Sequence, residues 1–295
     1  MKTITVLAAL VAGLAQLQAA PLTESTVTEI VKEVNVLPPG AANPAPAKLN
    51  ALVKAPERVR TGAESRTELT AADRTITRIG ANTVFAFETA GRVINLERGS
   101  ILFHSPKGAG GGTIKSGGAS AAILGTTLIV ATTPDGGFKV IVLEGRARVT
   151  LPNGRQSNLD AGQMVFVLPA GAGFSNVLDI NLGQLVGGSQ LVNGFSRELP
   201  STAQISAAVK KQNSRLEKGD AVDTGMSADQ FASSWSKARY GLNAIDNNSY
   251  KTAVPPKLTP AQLSQFFDGQ GLPIGSPGGA GVVPINNSRG AAGAP

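Results

Sequence analysis

The side chain best suited to general acid–base work is His104, the only histidine in a chain of 295 residues that contains no cysteine. An ordinary Cys/His zinc set is therefore excluded, and any Ser-His-Asp relay would have to run through this one imidazole. Phe103, Ser105 and Pro106 place it at a strand end or in a loop, where a surface or hydrogen-bonded structural role is expected. The carboxylates are few, and Glu68, Glu97 and Glu144 read as exposed strand or turn partners of nearby basic residues. A glycosidase needs two carboxyl groups facing each other across a cleft, and no spacing here marks such a pair. Asp220 and Asp223 lack the dense oxygen-ligand spacing of a calcium loop. Gly108–Gly118 (GAGGGTIKSGG) has the glycine content of a phosphate cradle. A P-loop, however, needs its Lys-Ser/Thr to open a helix, and Lys115-Ser116 runs instead into Gly117-Gly118. A flexible β–β loop flanking a short strand is expected there. The inventory points to a protein that is not an enzyme and has no metal or cofactor.

The elements that would position any site are strands. Ile123–Leu168 alternates β-type runs with two turn signals, Pro134-Asp135-Gly136-Gly137 and Pro152-Asn153-Gly154. Both read as hairpins, because Asp-Gly and Asn-Gly tolerate positive φ and proline presets the entry angle. Phe138–Leu143 and Met164–Leu168 are nearly continuously apolar, as strands covered on both faces are. Arg146, Arg148 and Thr150 alternate with Ala147, Val149 and Leu151, which is a strand with one wet face. Upstream, Arg66–Leu69, Arg74–Ile79, Thr83–Phe87, Val93–Leu96 and Ser100–Phe103 are strand candidates at roughly ten-residue spacing, the pattern of an all-β domain. Ile76, Ile79, Phe85, Phe87 and Leu96 are its expected core. Thr26–Leu37 also fits a strand better than a helix, since β-branched residues dominate it, and Pro38–Pro46 reads as a turn or short linker.

Residues 1–19 resemble a secretory signal peptide: Lys2, an apolar run from Ile4 to Leu14, and small residues at Ala19 and Ala20, with a cut expected after Ala19. The run is shorter than a membrane span needs. The chain is therefore expected in the periplasm or outside the cell, without a membrane span once the signal is removed. The formal charge of +7 is spread singly. Between Ala51 and Leu168 there are 14 Lys and Arg against 9 Asp and Glu, without the clustered cations and stacking aromatics of a nucleic-acid reader.

Beyond Leu168 the sequence is irregular and then helical. Ser201 with Gln204 forms a capping box before a helix over Ala203–Lys218 closed by Gly219, and Ser227 with Gln230 does so before Ala228–Tyr240. A short third helix follows Thr259-Pro260, and Trp235 is a packing anchor. Ile205, Val209, Gln212 and Leu216 share one face of the first helix. Gly269–Pro295 has 8 Gly and 4 Pro among 27 residues, too few hydrophobes to offset the entropy of ordering, so a disordered tail is expected.

Seven ordered pieces carry a resemblance: Val59-Arg60-Thr61-Gly62, Ser65–Leu69, Arg78–Thr83, Leu96–Ser100, Leu124-Gly125-Thr126, Val142–Arg146 and Ala161-Gly162-Gln163. Together they resemble the FecR-type domain, over about residues 56–168. The resemblance implies a compact, solenoid-like or roll-like all-β fold in the cell envelope that acts by contact with other proteins. Members that signal carry a membrane span and an inner segment controlling a sigma factor. The only apolar run here is the signal, so sigma-factor regulation is not carried over. The chain also departs from the family at Leu124, where a basic residue is common.

The organisation expected is thus a signal (1–19), an N-terminal strand and Pro-rich linker (20–55), the β domain (56–168), an irregular and helical region (169–268) and the tail. The partner expected is an envelope protein, met at an exposed sheet edge or on the Arg146/Arg148 face. The rival is a structural or glycan-binding envelope protein, motivated by the basic surplus.

Overall fold

The computed structural model describes residues 20–123, 125–133 and 136–219. The expected signal, Leu124, the Pro134-Asp135 pair, Asp220, Asp223, Trp235, the two later helices and the tail lie outside the described residues.

The chain shuttles between two nine-stranded sheets, A and B. Strand β1 (Glu24–Val31) lies in sheet A, β2 (Val34–Leu37) and β3 (Ala45–Pro46) in sheet B, β4 (Leu52–Lys54) in A and β5 (Arg58–Thr61) in B. Most later steps come in pairs. β6 (Arg66–Thr70) and β7 (Ile76–Ile79) join sheet A, and β8 (Val84–Phe87) and β9 (Val93–Arg98) join B. β10 (Ser100–His104) goes to A, and β11 (Gly112–Ser116) and β12 (Ala119–Ile123) to B. β13 (Thr127–Thr132) and β14 (Phe138–Glu144) return to A, β15 (Arg146–Thr150) and β16 (Gln156–Asp160) to B, and β17 (Gln163–Val167) and β18 (Leu178–Asp179) to A. Sheet A reads β18-β17-β14-β13-β10-β7-β6-β1-β4 and sheet B reads β16-β15-β12-β11-β9-β8-β5-β2-β3, so both sheets grow in near-chain order from one end to the other. Among the described strands one ladder, β9–β11, is parallel. The fold is mainly β, as expected. Its winding is that of antiparallel pairs laid alternately in two layers, unlike the parallel coils of a β-helix.

The turns that close the pairs are those the sequence marks. β13 and β14 pair antiparallel from Thr132↔Phe138, and β15 and β16 from Thr150↔Gln156. In the second hairpin only Gly154 takes positive φ, at 81°. Thr26–Leu37 forms two strands rather than one: Lys32, at φ 60°, breaks the run and sends β2 into the other sheet. Lys115-Ser116 sits within β11, where Lys115 Nζ donates to both oxygens of Glu88 at 3.0 Å and Ser116 Oγ donates to Leu96 O at 2.9 Å. Both residues are occupied by the sheet.

One core lies between the sheets. Ile79, Ile101, Val130, Val140 and Val165 point into it from sheet A, and Val59, Phe85, Phe87, Leu96, Ile114 and Val149 from sheet B. Fully burying a side chain of this size contributes roughly 1.5–3 kcal/mol. The alternate residues of sheet A, Ile76, Leu102, Ile129, Ile141, Leu143, Met164 and Phe166, make a second core on its outer face. Helices α1 (Leu182–Gly188), α2 (Gln190–Asn193) and α3 (Thr202–Glu217) cover that face with Leu182, Leu185, Leu191 and Ile205. This explains why β14 and β17 are buried at every position and mostly apolar. Ile205 and Gln212 are the buried residues of α3, and Gln212 Oε1 accepts from Leu182 N at 2.9 Å. The capping box expected at Ser201 is not made: the residue is the N-cap, but its hydroxyl bonds elsewhere. Asn181 caps α1, accepting from Gln184 N at 2.9 Å, in a stretch that reads as irregular.

Candidate functional site

Among the described residues no helix covers the outer face of sheet B, and β15 brings Arg146 and Arg148 there. The two arginines stand two residues apart on one face, roughly 7 Å along the strand. Each meets a residue directly opposite on β16: Arg146↔Asp160 and Arg148↔Asn158. Arg146 Nε donates to Asp160 Oδ1 at 2.9 Å with its side chain 85% exposed. Arg148 Nε donates to Asn158 Oδ1 at 3.0 Å. Exposed pairs of this kind contribute about 0–1 kcal/mol, so they orient the guanidinium groups without locking them.

Among the described strands β16 is an edge strand. The Leu151 N–H donates to Arg155 O at 2.9 Å, closing the hairpin. Antiparallel ladders alternate hydrogen-bonded and non-bonded pairs, so Ser157 and Leu159 bond inward to β15. The main-chain groups of Gln156, Asn158 and Asp160 point away from the sheet. Gln163 Oε1 takes the Asp160 N–H at 2.9 Å; Gln156 and Asn158 face outward. The other three edges are β3 and β18, of two residues, and β4, of three. Short edge strands block pairing with another chain, and β16 has five residues. Its sequence, QSNLD, carried the signal: Asn and Asp are depleted in paired strands.

The candidate chemical residues are gathered elsewhere. His104, Glu144 and Ser201 converge on the Thr127 hydroxyl, at 2.9 Å from His104 Nδ1, 2.8 Å from Glu144 Oε1 and 2.7 Å from Ser201 Oγ. The Thr127 hydroxyl is the donor towards both Glu144 Oε1 and Ser201 Oγ, its one hydrogen shared between them, and His104 Nδ1 is its third polar neighbour. Burial holds the His104 pKa below its ordinary value, with Arg78 lowering it further. Burial also raises Glu144, against the Thr127 hydrogen bond and the charge of Lys107. The set lies beneath the first turn of α3 and pins it to β10 and β13. His104 is thus buried and hydrogen-bonded, and Glu144, expected at the surface, is 8% exposed.

Glu68 also departs from expectation. It is 1% exposed on β6 and receives Arg78 Nε at 2.9 Å from β7 and Arg197 at 2.7 Å. The wet strand face read from its charge is covered by a segment more than a hundred residues later. Glu97 remains exposed and pairs with Arg58. Among the described residues no three His, Cys, Asp or Glu side chains are grouped to hold a metal ion. No described helix is long and apolar enough to cross a membrane.

The family model for FecR protein matches residues 57–148. No curated protein matches the chain. Among solved structures, two crystal structures of a candidate anti-sigma factor from Parabacteroides distasonis ATCC 8503 are each 20% identical, with a TM-score of 0.35. The alignment covers 40% of this chain and 57% of that one, so it spans little more than half of that protein's length. The matched residues run from the strand before the β6–β7 pair to the Arg146/Arg148 strand, through the middle of both sheets, and the chain carries, over residues 57–148, a FecR domain.

Proposed function

We propose that this is an exported, non-enzymatic protein of the cell envelope whose FecR-type β module works by contact with another protein, in envelope sensing or signalling. The contact is made at β16, flanked by the exposed Arg146 and Arg148. The observation that carries this reading is the five-residue edge with outward main-chain groups at Gln156 and Asn158, beside three edges of two or three residues. A partner strand added there gains ladder hydrogen bonds, and the arginines select its side chains.

Proline is tolerated on an edge strand where its missing N–H faced solvent. Asn158→Pro should therefore keep the fold while removing an outward donor. Affinity capture from an envelope fraction, with wild type and Asn158→Pro side by side, tests the reading. The expected result is one protein retained by wild type and lost with the variant. Equal retention by both, or retention on an anionic polysaccharide in place of protein, would count against it.

A further inference from the structure

The outer face of sheet A changes character along one cross-strand row. Register places Glu29, Glu68, Arg78, Leu102, Ile129 and Ile141 side by side. The apolar half of that row is covered by the helices, and the charged half by the irregular segment between α2 and α3. That segment, together with α2 just before it, touches the sheet through its backbone. Arg78, itself 0% exposed, donates to Leu191 O at 3.2 Å, to Val192 O at 2.7 Å and to Arg197 O. Arg66 Nε donates to Gly194 O. Glu29 accepts from Ser196 N at 3.0 and 3.1 Å and from Ser196 Oγ at 2.6 Å.

Two side chains of the segment are also received. The Phe195 ring has the Arg78 guanidinium 4.4 Å from its centroid and that of Arg66 at 5.8 Å, which is cation–π geometry. Arg197 reaches Glu68, although its own side chain is 60% exposed. Phe195, Ser196 and Arg197 contribute no side chain to either hydrophobic core; Leu191 and Leu199 on either side do. The short segment between these two anchors is thus held by charge-assisted bonds to backbone atoms, one aromatic ring and one guanidinium. These are the contacts by which a protein reads a peptide.

We propose that the Glu29–Arg66–Glu68–Arg78 end of sheet A is a peptide-recognition site, occupied in cis by Gly194–Arg197. A partner segment that places an aromatic residue two positions before an arginine competes for it. The site is on the sheet opposite β16 and is independent of that edge. Occupation in cis lowers apparent affinity in trans by the fraction of time the site is open, so the chain's own segment sets the threshold for the partner.

The test uses the processed full chain and a fluorescent peptide of residues 193–199 (NGFSREL), read by anisotropy. Phe195→Ala with Arg197→Ala weakens the cis contacts and leaves the site's own residues in place. This double variant should bind the peptide at least about tenfold more tightly than wild type, and a peptide with both residues changed to alanine should not bind. Equal affinity of the two proteins, or binding of the alanine peptide, overturns the proposal. Hydrogen exchange on the wild type gives a measurement that needs no variant. The Ser196 amide should exchange through local opening, well before the β13–β14 ladder. Protection of Ser196 equal to that ladder would make the segment a fixed part of the fold and overturn the proposal.

Discussion

Arg78 on β7 stands directly opposite Glu68 on β6, with Nε 2.9 Å from Oε2 and both side chains shut away from water. Glu68 is bound on its other oxygen by Arg197 at 2.7 Å and Thr28 Oγ1 at 2.9 Å. Burial lowers the Arg78 pKa from its ordinary value, and the hydrogen bond and charge of Glu68 oppose that shift. Removing one member of a buried pair leaves an uncompensated charge and costs about 3–5 kcal/mol. Glu68→Gln should therefore lower unfolding stability by roughly 3 kcal/mol or more, measured by urea titration. Glu97→Gln, in the exposed Arg58 pair, should change it by about 1 kcal/mol or less.

Glycine is required at Gly99. It takes φ +91°, and a Cβ there would lie 2.2 Å from Thr83 Oγ1 and 2.5 Å from Thr83 Cα, a backbone atom that cannot swing aside. Gly154, at φ +81°, has open space around it. Gly154→Ala should cost about 1 kcal/mol for the left-handed backbone alone, and Gly99→Ala distinctly more, in parallel thermal melts.

Two buried carboxyl groups contribute to the pH dependence. Burial raises the pKa of both Glu144 and Asp179; Arg215, at 3.5 Å, opposes the shift at Asp179. A folded pKa raised above the unfolded one makes folding more favourable below the unfolded value, an advantage lost as pH rises through the folded value. Glu144→Gln should therefore become more stable relative to wild type as pH rises from about 4.5, by denaturant titrations across pH. His104 acts oppositely: its lowered pKa gives a contribution present above its ordinary value near 6.5 and lost as pH falls through the folded value. His104→Gln should flatten the acid side of the curve.

The start of the described chain is anchored. Arg92 donates to Ala20 O at 2.8 Å and to Gly111 O at 2.7 Å, and Leu22, 2% exposed, enters the core between the sheets. Processing after Ala19 would leave these contacts whole. Mass spectrometry of the secreted or periplasmic protein should give Ala20 as the first residue; recovery of the protein in the cytoplasm with its first nineteen residues retained would oppose export.

The strands were legible because their turns and alternation are local. Ile76, Ile79, Phe85, Phe87 and Leu96 all fall in the two cores. Where the reading failed, the determining partner is distant in the chain. Glu68 and Arg78 look like a wet face until residues 191–197 cover them. Ser201 looks like a helix cap, but Thr127, 74 residues earlier, takes its hydroxyl. Lys32 breaks a strand at φ 60° with no glycine to mark it. Pairing the β6–β7 hairpin about Asp73 would have set Glu68 against Arg78 from sequence alone. The Arg146/Arg148 face was legible in the alternation of β15, whereas its position beside an open edge depends on the order of strands across the sheet.

The central claim, protein contact through β16, is tested most directly in cells by a photo-crosslinking amino acid at position 158. Irradiation should give one discrete adduct whose mass identifies a protein. The adduct should be absent when the crosslinker is at Lys115, in the middle of the same sheet, and should weaken when Arg146 and Arg148 are both changed to alanine. Adducts of equal yield at 115 and 158, or none at 158 in cells that produce the folded protein, would contradict the account.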